Sequence, residues 1–261
     1  MSLVGEERKE IILDMLNLAG KVRTNELTQR LQVSAETIRR YLEELENEQK
    51  LKRVYGGAIK ITYDREEPTH LKREITRAEE KKRIGRAAAN LVQDNDVIVI
   101  DDGTTTLHMI EYLVNKINLT VITCSVPVLS LLMEYQNKGL FSGEIYFVGG
   151  KVQSKYFRVA GSLAEKMVSG FYMDKAFIAA DGILMRKGIT SYNLERSLLV
   201  QKYIENANVS IVMADQSKIG IHTPYKIADM KDIDMIISDE APPREWTAEL
   251  EAKDINWIVA D

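Results

Sequence analysis

A polar run that follows an apolar stretch has residue types suited to binding chemistry. Residues 97–100 are apolar, and Asp101-Asp102-Gly103-Thr104-Thr105-Thr106 comes directly after them. The flexible glycine, the hydroxyls and the free N–H groups of a helix beginning here can together bind an anion such as phosphate. Threonine at a helix start is more often only a cap, so this run alone is weak evidence.

Further charged residues follow later apolar stretches. Asp181 follows residues 176–180, the next helical pattern carries Glu195 and Lys202, and Lys218 comes soon after residues 210–214. Taken singly, such residues are more often surface or salt-bridge groups. As a group they fit a phosphorylated, polyhydroxylated compound, because carboxylates accept hydrogen bonds from sugar hydroxyls and cations balance phosphate.

A sheet must position these residues. Six apolar runs of strand length alternate with helical patterns, at residues 97–100, 120–123, 145–148, 176–180, 210–214 and 235–237. Continuous apolar strands in such alternation predict an α/β fold with a mostly parallel sheet covered on both faces. Ligands bind beyond the carboxyl ends of such strands, where these polar residues stand.

The N-terminal sixty residues show a different pattern. Helices are predicted over residues 7–18, from about Thr24, and from a cap at Ser34, with very short connections. In the third helix Ile38 and its apolar neighbours face inward, Glu36 and Arg40 face outward, and Thr37 and Arg39 lie between. This arrangement predicts a helix-turn-helix whose third helix reads the major groove of DNA.

A short basic segment completes this domain. Residues 51–55 alternate apolar and cationic side chains, Gly56-Gly57 permits a tight turn, and residues 58–61 can pair back as a second strand. This is the pattern of a wing that contacts the DNA backbone. The alternative is a solvated face on which Arg39 and Arg40 pair with Glu43 and Glu44. The predicted DNA-binding residues are Ser34, Glu36, Thr37, Arg39, Arg40, Arg53, Tyr55 and Gly56.

The domain boundaries follow from these patterns. We expect a winged helix-turn-helix over residues 1–61, a charge-dense linker over residues 62–77 that contains Pro68, and an α/β domain over residues 78–261. The net charge of −4 excludes a general basic field, so DNA binding must depend on the local pattern.

Cysteine content and hydropathy indicate the cellular compartment in which the protein is expected. The single cysteine, Cys124, excludes an intramolecular disulfide, and no apolar run approaches the roughly 20 residues of a membrane span. We therefore expect a cytoplasmic protein without a membrane partner. Cys124 could act as a redox-sensing thiol, but a small buried side chain is the favoured interpretation.

Five stretches carry a family resemblance. "VSAETIRRYLEELENEQKLKRVYGGA" resembles the DNA-binding domain of DeoR-type bacterial transcriptional regulators, and "DDGTTT", "VITCSVPV", "VGGKV" and "ADQSK" follow the order of that family's effector domain. Three positions depart from the family pattern: Tyr41 stands where Asp is usual, Gln49 where Gly is usual, and Cys124 where Asn is usual.

The resemblance implies a transcriptional regulator, most often a repressor, released from operator DNA by a phosphorylated sugar. It implies a C-terminal fold related to ribose-5-phosphate isomerase, no catalysis, and no metal or cofactor. Because one winged helix offers few base contacts, we expect a homo-oligomer, a dimer or tetramer. The effector residues that the resemblance implies are Asp101, Gly103, Thr104, Thr105, Thr106, Asp181, Glu195, Lys202 and Lys218.

Two alternatives remain open from the sequence. One is a sugar-phosphate isomerase in which Asp181, Glu195 and Lys202 transfer protons. The other is a nucleoid-type DNA-binding protein whose C-terminal domain is purely structural. Turnover of sugar phosphates would indicate the first, and absence of sugar-phosphate binding the second.

Overall fold

The computed structural model describes residues 3–19, 21–48, 50–59 and 66–261, and the chain divides into two compact units, Met1–Asp64 and Arg65–Asp261. Gln49 and residues 62–65 of the predicted linker lie outside the described residues.

The described residues of the first unit form three helices and three short strands. The strands form an antiparallel sheet in the order β1-β3-β2. The elements are α1 (Leu3–Ala19), β1 (Lys21–Arg23), α2 (Thr24–Leu31), α3 (Ala35–Asn47), β2 (Lys52–Val54) and β3 (Gly57–Ile59).

The core of this unit follows the predicted helical stripes. Ile38, Leu42 and Leu45 are buried on α3 together with Leu27 of α2. Tyr41 is also buried in this core, as a flank position of the stripe allows. Helix α2 begins at Thr24, where the sequence predicts its start, and its N-cap residue is Arg23, whose side chain makes no capping hydrogen bond.

Glycine is required at the two wing positions, 56 and 57, for different reasons. Gly56 has φ +81°, a left-handed turn conformation that glycine adopts at little cost. At Gly57 a β-carbon would lie 2.0 Å from the carbonyl oxygen of Val22, because β1 pairs closely with β3 at this point. The turn therefore needs the first glycine, and the approach of the third strand needs the second.

The second unit carries the larger sheet. Its helices are α4 (His70–Ile75), α5 (Ala78–Ala89), α6 (Thr104–Leu107), α7 (Val126–Asn137), α8 (Ser162–Val168), α9 (Leu194–Glu205) and α10 (Thr247–Ala252). Its strands are β4 (Val97–Ile100), β5 (Thr120–Thr123), β6 (Glu144–Phe147), β7 (Lys151–Gln153), β8 (Arg158–Ala160), β9 (Met173–Ala179), β10 (Gly182–Leu184), β11 (Gly188–Ser191), β12 (Ala207–Met213), β13 (Tyr225–Ala228), β14 (Met235–Ser238) and β15 (Asn256–Val259).

Seven of these strands form one sheet in the order β15-β14-β12-β9-β4-β5-β6, and every pairing is parallel. Successive residues alternate between two cores: Val99 and Ile178 belong to one, and Ile98 and Phe177 to the other. The prediction of a mostly parallel α/β domain, with its six strands, is confirmed. The seventh strand, β15, was not anticipated.

Two smaller sheets are formed by segments that follow the carboxyl ends of strands in the large sheet. Strands β10, β11 and β13 form an antiparallel sheet, and β7 pairs with β8 as a hairpin. Both begin from loops that leave the large sheet, so they bring side chains from the later half of the chain to this edge.

The segment predicted as a linker differs from the expectation. Within it α4 is a helix capped by the hydroxyl of Thr69, and the Glu67 side chain is buried, both within the second unit. Charge density suggested solvent exposure, but Glu67 is paired with a buried arginine of β8. In the described part of the chain, no helix has the length and apolar character needed to cross a bilayer.

Candidate anion site and nucleic-acid interface

A cavity of about 180 Å³ lies where β4, β9 and β12 end, so their carboxyl ends open into it. It combines cations, hydroxyls, carboxylates and small apolar groups. The lining residues are Pro68, Lys72, Arg73, Thr76, Lys81, Gly103, Thr104, Thr105, Ala179, Ala180, Asp181, Ala214, Asp215, Ser217 and Lys218.

The turn from β4 into α6 supplies one wall. Gly103 has an extended backbone, and its requirement is space: a β-carbon there would lie 2.3 Å from that of Ala179. Thr104 and Thr105 line the cavity. Thr106 does not, because its hydroxyl donates to the carbonyl oxygens of Asp101 at 2.7 Å and Gly103 at 2.8 Å. The helix is only one turn long and ends at Leu107.

Four cationic side chains line the cavity, Lys72, Arg73, Lys81 and Lys218. Burial lowers the pKa of Lys81 to about 8, with the nearby charges of Lys218 and Arg73 acting in the same direction and Asp215 opposing them. A bound anion would stabilise the charged form of Lys81 and raise its pKa again. Concentrated positive charge next to threonine hydroxyls makes the cavity suited to a phosphate group.

Two carboxylates share the cavity with these cations. Oδ2 of Asp181 accepts hydrogen bonds from the Ser191 hydroxyl at 2.9 Å and from the Tyr192 backbone N–H at 3.2 Å. Burial favours the neutral form of Asp181, but the charge of Arg196, aided by other cations, holds its pKa below the ordinary value. Asp215 caps the short turn after β12, accepting from the backbone N–H of Ser217 at 3.0 Å.

A buried ionic network supports the same edge of the sheet. Arg158 bonds Asp102 at 2.9 Å and reaches both oxygens of Glu67, at 2.8 and 2.6 Å. Arg196 bonds the other oxygen of Asp102 at 2.7 Å and also pairs with Asp101. All five residues are buried, so each charge depends on a partner.

The pKa values of the two adjacent aspartates are shifted in opposite directions. Burial raises the pKa of Asp101 to about 7, although Arg196 opposes it, and the charge of Asp102 acts in the same direction as burial. Although burial disfavours its charge too, Arg158 and Arg196 hold the pKa of Asp102 well below its usual range. Asp102 is therefore the permanent anion between the two arginines.

Cys124 lies beside these aspartates. Its Sγ and the carboxylate oxygens are within 4.8 Å of one another, a spacing that could hold a metal ion. However, burial raises the pKa of the thiol, and the arginines already balance the aspartates. The thiol is buried in the main core of the domain, which confirms the interpretation as a small buried side chain.

The structure brings together only part of the predicted effector set. Gly103, Thr104, Thr105, Asp181 and Lys218 line the cavity, whereas Asp101 and Thr106 are turned into the fold. Glu195 and Lys202 do not line it. Glu195 instead pairs with Lys151 at 3.1 Å, and Lys202 pairs with Glu205 on the exposed side of α9.

The residues that the sequence reasoning missed are Arg73 and Lys81 of the cavity and Arg196 of the network. Arg196 stands in the apolar stripe of α9 with Leu199, Val200 and Tyr203, and an arginine in such a stripe needs a buried carboxylate. That pattern could have identified it. Arg73 was overlooked because its segment was assigned to the linker.

The exposed face of α3 is the candidate nucleic-acid interface. The Ser34 hydroxyl accepts from the Thr37 N–H at 3.2 Å and begins the helix, as predicted. Arg39 and Arg40 keep about two thirds of their side chains exposed, 66% and 65%, despite ion pairs to Glu36 at 3.2 Å and Glu44 at 3.8 Å. Such exposed pairs are weak, so both guanidinium groups remain available to DNA.

The wing is held to the end of α3 by Glu46. Its carboxylate accepts from the backbone N–H and from Nε of Arg53, both at 2.7 Å. These two hydrogen bonds from Arg53 lower the pKa of Glu46 below its ordinary value. Tyr55 at the tip is fully exposed. A groove between α3 and the wing is lined by Arg39, Arg53, Tyr55 and Gly56, among others.

Comparison with known proteins decides the family. The sequence profile of the DeoR-like helix-turn-helix domain matches residues 8–63, and that of the DeoR C-terminal sensor domain matches residues 76–240. The chain belongs to the DeoR family of transcriptional regulators. As a member of the DeoR family it is a DNA-binding regulator with a sensor domain, and not an enzyme.

Relatives in the DeoR family match along almost the whole chain. The HTH-type transcriptional repressor GlcR of Bacillus subtilis is 34% identical, over 98% of this chain and 96% of its own length. The lactose phosphotransferase system repressor of Staphylococcus epidermidis is 28% identical, over 89% and 91%. Among solved structures, ribose 5-phosphate isomerase A of Methanocaldococcus jannaschii matches 55% of each chain at 19% identity, with a TM-score of 0.40.

Proposed function

We propose that this regulator is a repressor of a carbohydrate operon and that a phosphorylated sugar releases it from operator DNA. Support comes from relatives named as repressors, among them the putative aga operon transcriptional repressor of Escherichia coli O157:H7. Because bacterial operator DNA lies in the cytoplasm, the proposal includes a cytoplasmic location.

The cavity at the carboxyl edge of the sheet is the observation that carries the proposal. Its cations and threonine hydroxyls would hold the phosphate, since Lys81 and Lys218 line the same cavity as Thr104 and Thr105. Asp181 and Asp215 would accept hydrogen bonds from sugar hydroxyls. A cavity of about 180 Å³ is compatible with one small phosphorylated compound.

The winged helix would bind the operator through α3. Thr37 and Arg40 would reach base edges in the major groove, while Arg39, Arg53 and Tyr55 would contact phosphate and sugar groups. Ser34 at the helix start, Glu36 at the exposed first turn and Gly56 at the wing tip complete the proposed DNA-facing set. Recognition of two half-sites would need at least a dimer, which sedimentation analysis of the full chain can measure.

A thermal-stability screen of the full chain tests the proposal. Pentose and hexose phosphates are compared with the same sugars without phosphate, at equal concentration. We expect one phosphorylated sugar to raise the melting temperature and its parent sugar to leave it unchanged. The same compound should release the protein from an operator fragment selected from random DNA. A stabilising effect of the parent sugar alone would contradict the phosphate assignment.

A further inference from the structure

Arg73 stands out among the residues that line the cavity. Its side chain is 11% exposed, and it lies on α4, in the segment formed by residues 66–77. Among the described residues its Nε has no hydrogen-bond acceptor, and its Nη2 has only an ion pair with Glu67 at 3.2 Å. Buried donors of a charged group without acceptors are costly, so this arrangement requires an explanation.

Glu67 does not supply that explanation. Both of its oxygens already accept hydrogen bonds from Arg158, at 2.8 and 2.6 Å. Arg73 is thus the second guanidinium on a carboxylate that another arginine already holds with better geometry. Its charge is in surplus at Glu67, and it lines a cavity that we propose receives a dianion.

The segment that carries Arg73 is fixed to the sensor domain at several points. Glu67 holds its start through Arg158, and Arg77 holds its end near Asp215 at 3.7 Å and Asp239 at 3.5 Å. Lys81, also in the cavity, donates to the backbone carbonyl of Arg73. An anion in the cavity therefore meets two cations, Arg73 and Lys81, that act on this one segment.

In the sequence, residues 60–65 join this segment to the wing strand β3. The first described residues of the second unit therefore include part of the cavity wall. No other part of the described chain that lines the cavity is adjacent in sequence to the DNA-binding unit.

We propose that Arg73 is an effector-binding residue and that it transmits occupancy of the cavity to residues 66–77. This inference rests on the proposed function. A phosphate offers more charge and more free acceptors than the saturated Glu67, so the guanidinium turns from Glu67 to the phosphate. When the cavity is occupied, α4 is therefore held by the contact of Arg73 with the phosphate and no longer by its contact with Glu67. A ligand can change DNA affinity only if it binds two states of the protein differently, and this exchange of contacts supplies such a difference.

The experiment compares the full-length wild type with Arg73→Gln and with Lys82→Gln as the matched control. Lys82 is on α5, pairs with Glu79 at 2.9 Å and does not line the cavity, so its substitution removes the same charge elsewhere. Inorganic phosphate and the stabilising sugar phosphate are the probes. Affinity is measured by calorimetry, and amide exchange of residues 66–77 by mass spectrometry.

In the wild type and in Lys82→Gln, we expect both probes to bind and to slow amide exchange in residues 66–77. In Arg73→Gln, affinity should fall by about 10- to 100-fold, the worth of a charge-assisted hydrogen bond, and the slowing should be lost even at saturation. If Arg73→Gln is poorly folded, Arg73→Lys replaces it and should show a smaller loss of affinity with weaker protection.

The two proposals fail in different ways. If neither probe binds the wild type, the proposed function and this inference both fail. If the wild type binds and Arg73→Gln binds equally well, or if exchange in residues 66–77 does not respond to saturating probe in the wild type, this inference alone is overturned.

Discussion

Single side chains in the cavity should control which signal the protein detects. Thr105 is buried and lines the cavity next to Gly103 and Thr104. A glutamate at this position would add a negative charge where the phosphate is proposed to bind. Thr105→Glu should therefore bind operator DNA and ignore the effector.

Fluorescence anisotropy of labelled operator, with and without effector, checks this prediction. Thr105→Ser is the control, since it keeps the hydroxyl. A normal response of Thr105→Glu to the effector would show that the phosphate does not bind at this turn.

The pH dependence of effector binding should report on Lys81. The free protein holds its pKa near 8, through burial opposed by Asp215 and supported by Lys218 and Arg73, with the opposing charge of Glu80 also facing it. A bound phosphate stabilises the protonated form. Below about pH 8 Lys81 is already charged, and above it binding must take up a proton, so affinity should fall by up to about tenfold per pH unit.

Calorimetry between pH 7 and 10, in buffers of different ionisation enthalpy, measures both the affinity and the proton uptake. Lys81→Arg keeps its charge throughout this range and should abolish the decline above pH 8. A decline that persists unchanged in this variant would assign the proton to another group.

At the scale of elements, the close approach of β1 to β3 makes the wing sensitive to one methyl group. The β-carbon in Gly57→Ala would lie 2.0 Å from the carbonyl oxygen of Val22, so strands must shift. We expect a loss of about 1–3 kcal/mol in the free energy of unfolding of the first unit.

Gly56→Ala is the matched comparison, since nothing lies within 4 Å of a β-carbon there and only the positive φ is strained. Its cost should be smaller, about 1 kcal/mol. Denaturant unfolding followed by circular dichroism measures both variants. Equal costs for the two would mean that the wing adjusts freely to the added atom.

Much of this element structure could be predicted from sequence because it follows local patterns. The stripe Ile38, Leu42 and Leu45 defined α3, and continuous apolar runs defined six parallel strands. Strand β1 has only three residues, Lys21–Arg23, too short for any periodicity. It exists because β3 needs a partner on its second edge, a fact of tertiary structure.

The candidate site was predictable only in part for the same reason. Gly103, Asp181 and Asp215, which follow β4, β9 and β12, reach the cavity because the ends of parallel strands meet at one edge of a sheet. Glu195 and Lys202 lie on a helix, where adjacent residues point about 100° apart, so only the side chain at Arg196 reaches the buried aspartates. Arg73 comes from a segment with little apolar periodicity.

For the whole molecule, DNA reading and effector sensing should be separable. Arg40 lies in the first unit and the cavity in the second. Arg40→Ala should cost about 1–3 kcal/mol in operator binding and relax sequence preference, while effector affinity stays at the wild-type value. Anisotropy measures the first quantity and calorimetry the second.

Arg30→Ala serves as the control, because it removes an arginine from the last turn of α2, outside the predicted DNA-facing set. Unchanged operator binding by Arg40→Ala would count against the placement of α3 in the major groove.

The whole molecule should also bind sugar phosphates without converting them. The arginine-paired Asp181 is held ionised by hydrogen bonds and by the charge of Arg196, and Glu195 does not line the cavity. We expect no isomerisation of pentose or hexose phosphates. Proton NMR after long incubation with the full chain checks this prediction. Formation of product in an amount that increases with protein concentration would contradict the assignment as a regulator without catalytic activity.

The buried network of Glu67, Asp101, Asp102, Arg158 and Arg196 limits which substitutions this chain can accept. A mutation that removes one of these charges strands its partner in the interior, at a cost of about 3–5 kcal/mol, comparable to a large share of a domain's stability. Evolution must therefore change these positions in pairs or leave them alone. New sugar specificities should arise instead at wall positions outside the network, such as Lys72, Thr76 and Ser217, where one substitution at a time can be tolerated.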